Sequence, residues 1–166
     1  MGQSLAIEPE AVDLSKVFDD ICQTLAQRVQ EPGVEFQKDN PFDTCPAVLD
    51  KGRLQQVLTN FVTNAVKYTH EGHIRVGYRS ERRMAGDVET DGFYFYCEDT
   101  GAGIPKEKQA SVFERFVKLN DFVQGTGLGL SICKAIIEKC NGQIGVEGEV
   151  GIGSTFWFWI PAELKV

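Results

Sequence analysis

Residues 53–69 read RLQQVLTNFVTNAVKYT, and this stretch carries the strongest secondary-structure signal in the chain. Its apolar residues recur at the i, i+3, i+4, i+7 and i+8 positions, which is the spacing of one face of an α-helix. These residues are Leu54, Val57, Leu58, Phe61, Val62, Ala65 and Val66. We therefore predict a helix from about Arg53 to Thr69 whose apolar stripe packs against the rest of the domain.

Helical and strand patterns alternate around this segment. One long helix is predicted from about Leu14 to Gln30, with Asp13 as its N-cap, and another from about Leu130 to Cys140. A shorter helix is predicted from Pro105 to about Phe116. The predicted strands cover residues 34–37, 47–49, 74–79, 93–97, 144–146 and 155–160. Residues 81–92 are predicted to form a surface hairpin loop. This order predicts an α+β fold, a two-layer sandwich with one mixed sheet and three main helices on one face.

Length and composition limit the classes of function. The 166 residues fit one domain, and 24 acidic against 17 basic side chains give a net charge of −7. An acidic chain is a poor partner for nucleic acid or for an anionic membrane surface, so we expect contact with neither. The five cysteines include no C-x-x-C pair, which argues against a disulfide framework or a structural zinc site. A cytoplasmic location is expected, with a membrane anchor left open for the full-length protein.

A strip of polar side chains borders the apolar stripe of the predicted helix. At about 100° per residue, the strip contains Arg53, Asn60, Asn64, Lys67 and Tyr68. Amide oxygens can ligate Mg²⁺, and a lysine can pair with phosphate. A tyrosine at the border can present its ring to a nucleotide base. Taken alone, the strip is more typical of a solvated helix face than of a binding site.

Residues 99–104 read DTGAGI and follow the predicted aromatic strand directly. The glycines let the backbone approach a ligand closely. A carboxylate can accept a hydrogen bond from the N6 amine of adenine, whereas guanine presents an acceptor at that position. A fixed carboxylate at this position would therefore select adenine, whereas a plain turn after a strand is the commoner structure for such a segment. The Asp-Thr-Gly triplet also resembles the active-site motif of aspartic proteases, but those proteins are all-β and need two motifs, whereas this chain has one.

Two glycine-rich segments lie further along the chain. Residues 125–131 read GTGLGLS and open the third long helix, where free backbone N–H groups and the helix dipole favour an anion. By itself, such a segment is typical of a phosphate-binding loop and equally of a flexible linker. Residues 151–156 read GIGSTF, which by itself indicates a tight turn.

The order of these segments resembles the ATP-binding catalytic domain of sensor histidine kinases. That domain belongs to the superfamily shared with DNA gyrase, the heat-shock chaperone and the mismatch-repair ATPases. Residues 60–69 resemble its N box, residues 99–103 its G1 box, residues 113–116 its F box and residues 125–130 its G2 box. The resemblance runs from about Asp13 to Pro161. It implies a single catalytic domain over the whole chain, with residues 1–12 a linker from a dimerisation and phosphoacceptor hairpin.

The resemblance implies a role for each matching residue of the nucleotide site. Asn64 would ligate Mg²⁺ with Asn60 beside it, and Lys67 would contact phosphate. Tyr68 would stack on or flank the adenine, and Asp99 would bind its N6 amine. The other residues expected around the base are Gly101, Gly103, Ile104 and Thr155, the last near an ordered water.

The resemblance also implies a triphosphate cradle and a lid. The cradle would consist of Gly125, Thr126, Gly127, Leu128, Gly129 and Leu130. Residues 105–124 would form the ATP lid, and Lys118 stands after the F box where arginine is frequent. Lys118 would reach the γ-phosphate, so the expected catalytic group is Asn60, Lys67 and Lys118.

The implied activity is transfer of the γ-phosphate of Mg-ATP to a histidine on a separate dimerisation hairpin, in two-component signalling with a response regulator as an indirect partner. Water-hydrolysing members of the superfamily carry glutamate at the position of Asn60, and an amide cannot take a proton, so poor ATP hydrolysis is expected. The two histidines, His70 and His73, are expected at the base end of the site, away from the γ-phosphate. A nucleotide-sensing pseudokinase is the alternative function.

Two tryptophans alternate with apolar residues on the last predicted strand. We assign Phe156, Phe158 and Ile160 to the core because successive side chains of a strand point to opposite faces. Trp157 and Trp159 are then expected on the outer face of the sheet, as an exposed patch that could contact another domain.

Overall fold

The protein is described here by a computed structural model that covers residues 5–114 and 128–164. Its elements in chain order are β1 (Glu10–Asp13), α1 (Leu14–Ala26), β2 (Val34–Asp39), β3 (Pro46–Leu49), α2 (Lys51–Tyr68), β4 (Gly72–Ala85), β5 (Val88–Asp99), α3 (Lys106–Gln109), α4 (Leu128–Lys139), β6 (Gln143–Glu149) and β7 (Gly153–Pro161). Within these covered ranges, no helix is both long and apolar enough to cross a membrane.

The main sheet has five strands in the order β2-β4-β5-β7-β6. β2 runs parallel to β4, and the other neighbours are antiparallel, so the sheet is mixed. A second, two-stranded sheet pairs β1 with β3. The mixed sheet and its helices confirm the predicted α+β fold. The sequence did not predict β1, because its four residues are mostly exposed and show no apolar alternation.

The three long helices and one face of the sheet form a single core. Phe61 of α2 packs its ring 5.4 Å from that of Phe156 on β7, and Phe18 of α1 packs 4.7 Å from Tyr78 on β4. Cys133 and the neighbouring apolar residues of α4 are fully buried in the same cluster. Because these helices make one complete layer of the fold, the all-β aspartic protease alternative is excluded.

The helix bounds differ from the predictions where capping or turns decide them. Asp13 caps α1 as predicted, since its carboxylate accepts a hydrogen bond from the backbone N–H of Ser15 at 3.1 Å. α1 nevertheless ends at Ala26 rather than Gln30, because the next three N–H groups bond to carbonyls three residues back. The short helix predicted over residues 105–116 is only Lys106–Gln109, followed by turns to Glu114.

A hairpin is present at residues 81–92 as predicted, but most of these residues are strand rather than loop, because they extend β4 and β5. Its turn is at Gly86, whose φ of 67° suits glycine. The segment is charged on both faces and therefore lacks an apolar alternation. Its side chains pair with each other instead, as in the 2.8 Å ion pair between Arg82 and Asp91.

The outer face of the sheet holds both tryptophans, as predicted, but it is not an open patch. Trp159 is fully buried, and its indole crosses Gly92 to donate a hydrogen bond of 2.8 Å to the carbonyl of Glu81. Trp157 is half-buried and stacks on Tyr94 with 5.6 Å between ring centroids. The long hairpin of β4 and β5 therefore covers the surface that we expected to be exposed.

Candidate nucleotide-binding site

The candidate site lies where the end of α2 meets the loop that follows β5. Asp50 begins α2, since its carboxylate accepts from the backbone N–H of Arg53 at 3.0 Å. At the other end, the N–H of Ala102 bonds to the carbonyl of Tyr68 at 3.2 Å. A Cβ atom on Gly101 would be 2.3 Å from that carbonyl, so only glycine allows this approach. The cleft is lined by Asn64, Tyr68, Ala102, Gly103, Ile104, Pro105 and Ser154.

Asp99 is a buried residue that contacts the cleft through Ser154. It is the last residue of β5 and is only 4% exposed. Its Oδ1 accepts from the N–H of Gly101 at 2.9 Å, and its Oδ2 accepts from the hydroxyl of Ser154 at 3.0 Å. Burial raises the pKa of Asp99, and these two hydrogen bonds oppose that rise. The carboxylate is thus held rigidly and keeps acceptor capacity for a neutral donor such as an amine.

Ser154, rather than Thr155, is the hydroxyl that reaches Asp99. We expected Thr155 at the base, but side chains alternate along β7 and Thr155 points to the outer face, where it pairs in register with Glu98. Ser154 shares the face of the buried Phe156 and is itself buried. The expected residue is therefore corrected to Ser154. The alternation used to place Phe156 in the core also identifies Ser154 from sequence.

Gly103 and Ile104 are among the residues that line the cleft. Gly103 has a φ of 79°, and a Cβ atom there would be 2.0 Å from the carbonyl of Glu149. The N–H of Gly151 bonds to the carbonyl of Ala102 at 2.8 Å, so the turn between β6 and β7 supports this loop. Ile104 is buried and gives the cleft an apolar side.

The side chains of the polar strip on α2 do not all face the cleft. Asn64 and Tyr68 line the cleft, whereas Lys67 is half-buried and is not one of its lining residues. Asn60 points to α4, with its Nδ2 3.4 Å from the carbonyl of Gly129 and 3.5 Å from Cys133 Sγ.

Arg53 does not belong to the site. It lies about 16 Å from Asn64 along the helix axis, as the rise of 1.5 Å per residue requires. Its Nε donates to the carbonyl of Ala6 at 3.1 Å.

Part of the predicted triphosphate cradle lies outside the described residues. This applies to Gly125, Thr126 and Gly127, to Lys118, and to residues 115–124 of the predicted lid. α4 begins at Leu128, which agrees with a helix opened by the glycine-rich segment. Gly129 stands beside the Asn60 amide, where a Cβ atom would be 3.3 Å from Oδ1, and Leu130 is buried in the core.

One buried polar residue next to the cleft was not singled out in the sequence. Thr69 follows the last residue of α2 and is 1% exposed. In the part of the chain that the structure describes, its Oγ1 is the only buried side-chain oxygen or nitrogen without a hydrogen-bond partner. A buried threonine at a helix end gives no distinctive sequence pattern, so only the structure singles it out.

His73 lines a second pocket together with Asp99, whereas His70 lines neither that pocket nor the cleft. His70 is exposed, with its Nδ1 3.2 Å from the carboxylate of Glu31. His73 contacts Glu98 on the outer face of the sheet, at 3.3 Å from its Nε2. Neither is among the residues that line the cleft of Asn64 and Tyr68.

Comparison with known proteins gives one consistent result. Residues 49–164 match the family described as "Histidine kinase-, DNA gyrase B-, and HSP90-like ATPase". The chain is 41% identical to the sensor histidine kinase AruS of Pseudomonas aeruginosa, over 94% of this chain and 16% of that protein. It is 36% identical to the phytochrome-like protein Cph1 of Synechocystis, over 90% of this chain and 19% of that protein. The chain therefore spans less than a fifth of the length of these two relatives.

Solved structures agree with the sequence comparison. Full-length ShkA in complex with AMPPNP superposes with a TM-score of 0.76 and 31% identity, over 99% of this chain and 33% of that one. The nucleotide-free catalytic domain of the histidine kinase ThkA gives a TM-score of 0.74 and 27% identity, over 94% of this chain and 99% of that one. The chain therefore belongs to the family of histidine kinase-, DNA gyrase B- and HSP90-like ATPases, as an ATP-binding domain of the histidine kinase type.

Proposed function

We propose that this chain binds Mg-ATP and donates the γ-phosphate to a histidine on a separate dimerisation hairpin of the same or a partner kinase, in two-component signal transduction. Family membership supports ATP binding, and the relatives named as sensor histidine kinases support the transfer to histidine. The full-length ShkA structure contains AMPPNP, which supports a nucleotide in the equivalent cleft here.

The observation that carries this proposal is the anchored carboxylate of Asp99, which is bonded to Ser154 on the wall of the cleft. Its two oxygens are fixed by Gly101 and Ser154, and no cation among the described residues pairs with it. A carboxylate in that state selects a neutral donor, and the N6 amine of adenine is such a donor. The ring of Tyr68 and the buried Ile104 line the same cleft and would flank the base.

The described residues suit a magnesium ion that is held mainly by phosphate. Asn60 holds its side-chain amide beside Gly129 of α4, and Asn64 stands one helical turn later at the cleft. Within residues 5–114 and 128–164, no cluster of three or more histidine, cysteine or acidic side chains could hold a metal. Mg²⁺ commonly takes one or two protein oxygens together with phosphate oxygens and water. Asn60 and Asn64 are therefore the proposed metal ligands.

The remaining proposed residues act on the phosphates. Lys67 and Lys118 would offset the charge of the transferred group, and residues 125–130 would hold the triphosphate at the start of α4. Asn60 cannot accept a proton, so water is not activated at this position. Phosphoryl transfer depends on in-line placement of the acceptor, which the histidine of the hairpin would provide.

The proposed partners follow from this activity. They are ATP, the histidine-bearing hairpin and, indirectly, a response regulator. Nucleic acid and direct membrane contact are not expected, because the net charge of −7 opposes both. The chain is proposed to act as one cytoplasmic catalytic domain.

Incubation with Mg-ATP tests the proposal. The isolated chain should keep its mass in intact-protein mass spectrometry, because neither His70 nor His73 lines the cleft. Addition of the hairpin from the same full-length protein should yield an acid-labile phosphate on the hairpin. ATP binding without any labelling of the hairpin would favour the pseudokinase, and stable phosphohistidine at position 70 or 73 would contradict the proposed geometry.

A further inference from the structure

Gln109 joins the loop that carries one wall of the cleft to the end of the main sheet. It is the last residue of α3, and its Nε2 donates to two backbone carbonyls, at 3.0 Å to that of Ile104 and at 3.1 Å to that of Gly148. A side-chain NH₂ group carries two donors, so one glutamine can bond to both carbonyls at once. Gln109 therefore ties Ile104 at the cleft to Gly148 of β6.

Gln109 makes this connection without lining the cleft itself. Ile104 is 4% exposed and lines the cleft together with Asn64 and Tyr68. Gln109 instead lines the second pocket, the one that contains His73. Its amide thus reaches the Ile104 carbonyl from outside the cleft, and any effect of Gln109 on a bound ligand would pass through Ile104.

The end of β6 is a suitable support for this loop. β6 is an edge strand of the five-stranded sheet, and edge strands present carbonyls that no neighbouring strand pairs. The loop also approaches β6 at Gly103, where a Cβ atom would be 2.0 Å from the carbonyl of Glu149. Gly103 precedes Ile104 and Gln109 follows it, so the loop is attached to β6 on both sides of Ile104.

We propose that Gln109 is a positioning residue for the nucleotide base: by holding the Ile104 carbonyl to β6, it keeps the Ile104 side chain in place as the apolar wall of the cleft. This inference rests on the proposed ATP binding. In that proposal Ile104 flanks the base, which ATP and ADP share. Loss of the Gln109 amide should therefore weaken the binding of both nucleotides by the same factor, whatever the number of phosphates.

Calorimetric titration of ATP and ADP into wild type and Gln109→Leu tests this role. Leucine is similar in size to glutamine but donates no hydrogen bond. Gln109→Leu should bind both nucleotides about three- to tenfold more weakly than wild type, as loss of one hydrogen bond implies. Wild-type affinity of Gln109→Leu, or a loss confined to ATP, would overturn the proposal.

Gln143→Leu is the matched control. Gln143 lies at the other end of β6, and its Nε2 likewise donates to a backbone carbonyl, that of Met84 at 3.0 Å. Both variants should lower the melting temperature by similar small amounts, because each removes a bond between a side chain and the backbone. Gln143→Leu should nevertheless bind ATP and ADP as wild type does. Equal losses of affinity in the two variants would show a merely structural role for Gln109 and would overturn the proposal.

A double-mutant cycle with Ile104→Ala tests whether Gln109 acts through Ile104. Ile104→Ala removes the side chain that forms the wall but keeps the backbone carbonyl that Gln109 bonds. Adding Gln109→Leu to Ile104→Ala should therefore cause less than about a twofold further loss of affinity, since two residues that act as a unit are not additive. Additive losses would refute positioning through Ile104. Failure of wild type to bind either nucleotide would instead refute the proposed function.

Discussion

Replacement of Asp99 by asparagine is the most informative single perturbation of the cleft. The carboxylate accepts from Gly101 N–H and the Ser154 hydroxyl, and the proposal gives it the adenine amine as a third donor. Asparagine removes the negative charge and turns one acceptor oxygen into a donating NH₂ group. A hydrogen bond to a charged partner is worth about 1.5–3 kcal/mol. Asp99→Asn should therefore weaken ATP binding by roughly 10- to 150-fold.

The thermal stability of Asp99→Asn should change less than its affinity for ATP. Burial raises the pKa of Asp99, so the charged form is disfavoured in the folded state and this group opposes folding as the pH rises through its raised pKa. Removal of the charge at neutral pH relieves that opposition, while the NH₂ group disturbs one of the two hydrogen bonds. We expect a melting temperature close to that of wild type together with a large loss of affinity.

The assay is calorimetric titration of ATP in the presence of Mg²⁺ into wild type, Asp99→Asn and a control. Glu98→Gln is the matched control, since Glu98 precedes Asp99 on β5 but contacts His73 and Arg75 on the outer face. The control should bind ATP as wild type does. Equal affinity of wild type and Asp99→Asn would refute the role of Asp99, and equal losses in both variants would show that only strand charge matters.

Three further predictions concern Gly101, the neighbouring residues Ser154 and Thr155, and the two tryptophans. Gly101→Ala places a methyl group 2.3 Å from the Tyr68 carbonyl, so thermal unfolding should show a loss of about 1–3 kcal/mol, and a wild-type melting curve would contradict the contact. Ser154→Ala should weaken ATP binding about fivefold whereas Thr155→Val should not, and the reverse order in calorimetry would restore Thr155 to the base. Iodide should quench the fluorescence of the half-buried Trp157 but not that of the fully buried Trp159, which single tryptophan variants can separate; equal quenching would mean that the hairpin does not cover β7.

Sequence patterns predicted the elements whose two faces differ in polarity. α2 has one apolar stripe and was identified almost to its ends, and the strand around Phe95 was identified by its run of aromatic residues. The extension of β4 and β5 was missed because residues 81–92 are polar on both faces. Their order comes from pairing between the strands, as between Arg82 and Asp91, which no local pattern reveals.

Residues of the site were likewise predicted where a local sequence pattern marks them, and were not predicted where their position depends on packing. Asp99, Gly101 and Gly103 were predicted because a carboxylate followed by two closely spaced glycines at the end of an apolar strand is a distinctive local pattern. The burial of Thr69 was not predicted, because it depends on how the end of α2 packs against the loop at Gly101. Thr155 was expected at the base instead of its neighbour Ser154, although the alternation of side chains along β7 was sufficient to identify Ser154.

The most direct test of the central claim is titration of the wild-type chain with ATP and GTP, each with and without Mg²⁺. The account predicts that Mg-ATP binds at least about tenfold more tightly than Mg-GTP, because a carboxylate repels the O6 acceptor of guanine. It also predicts that removal of Mg²⁺ weakens ATP binding, because Asn60 and Asn64 would then lack the ion that joins them to phosphate. Equal affinity for the two nucleotides, or ATP binding unaffected by Mg²⁺, would contradict the account.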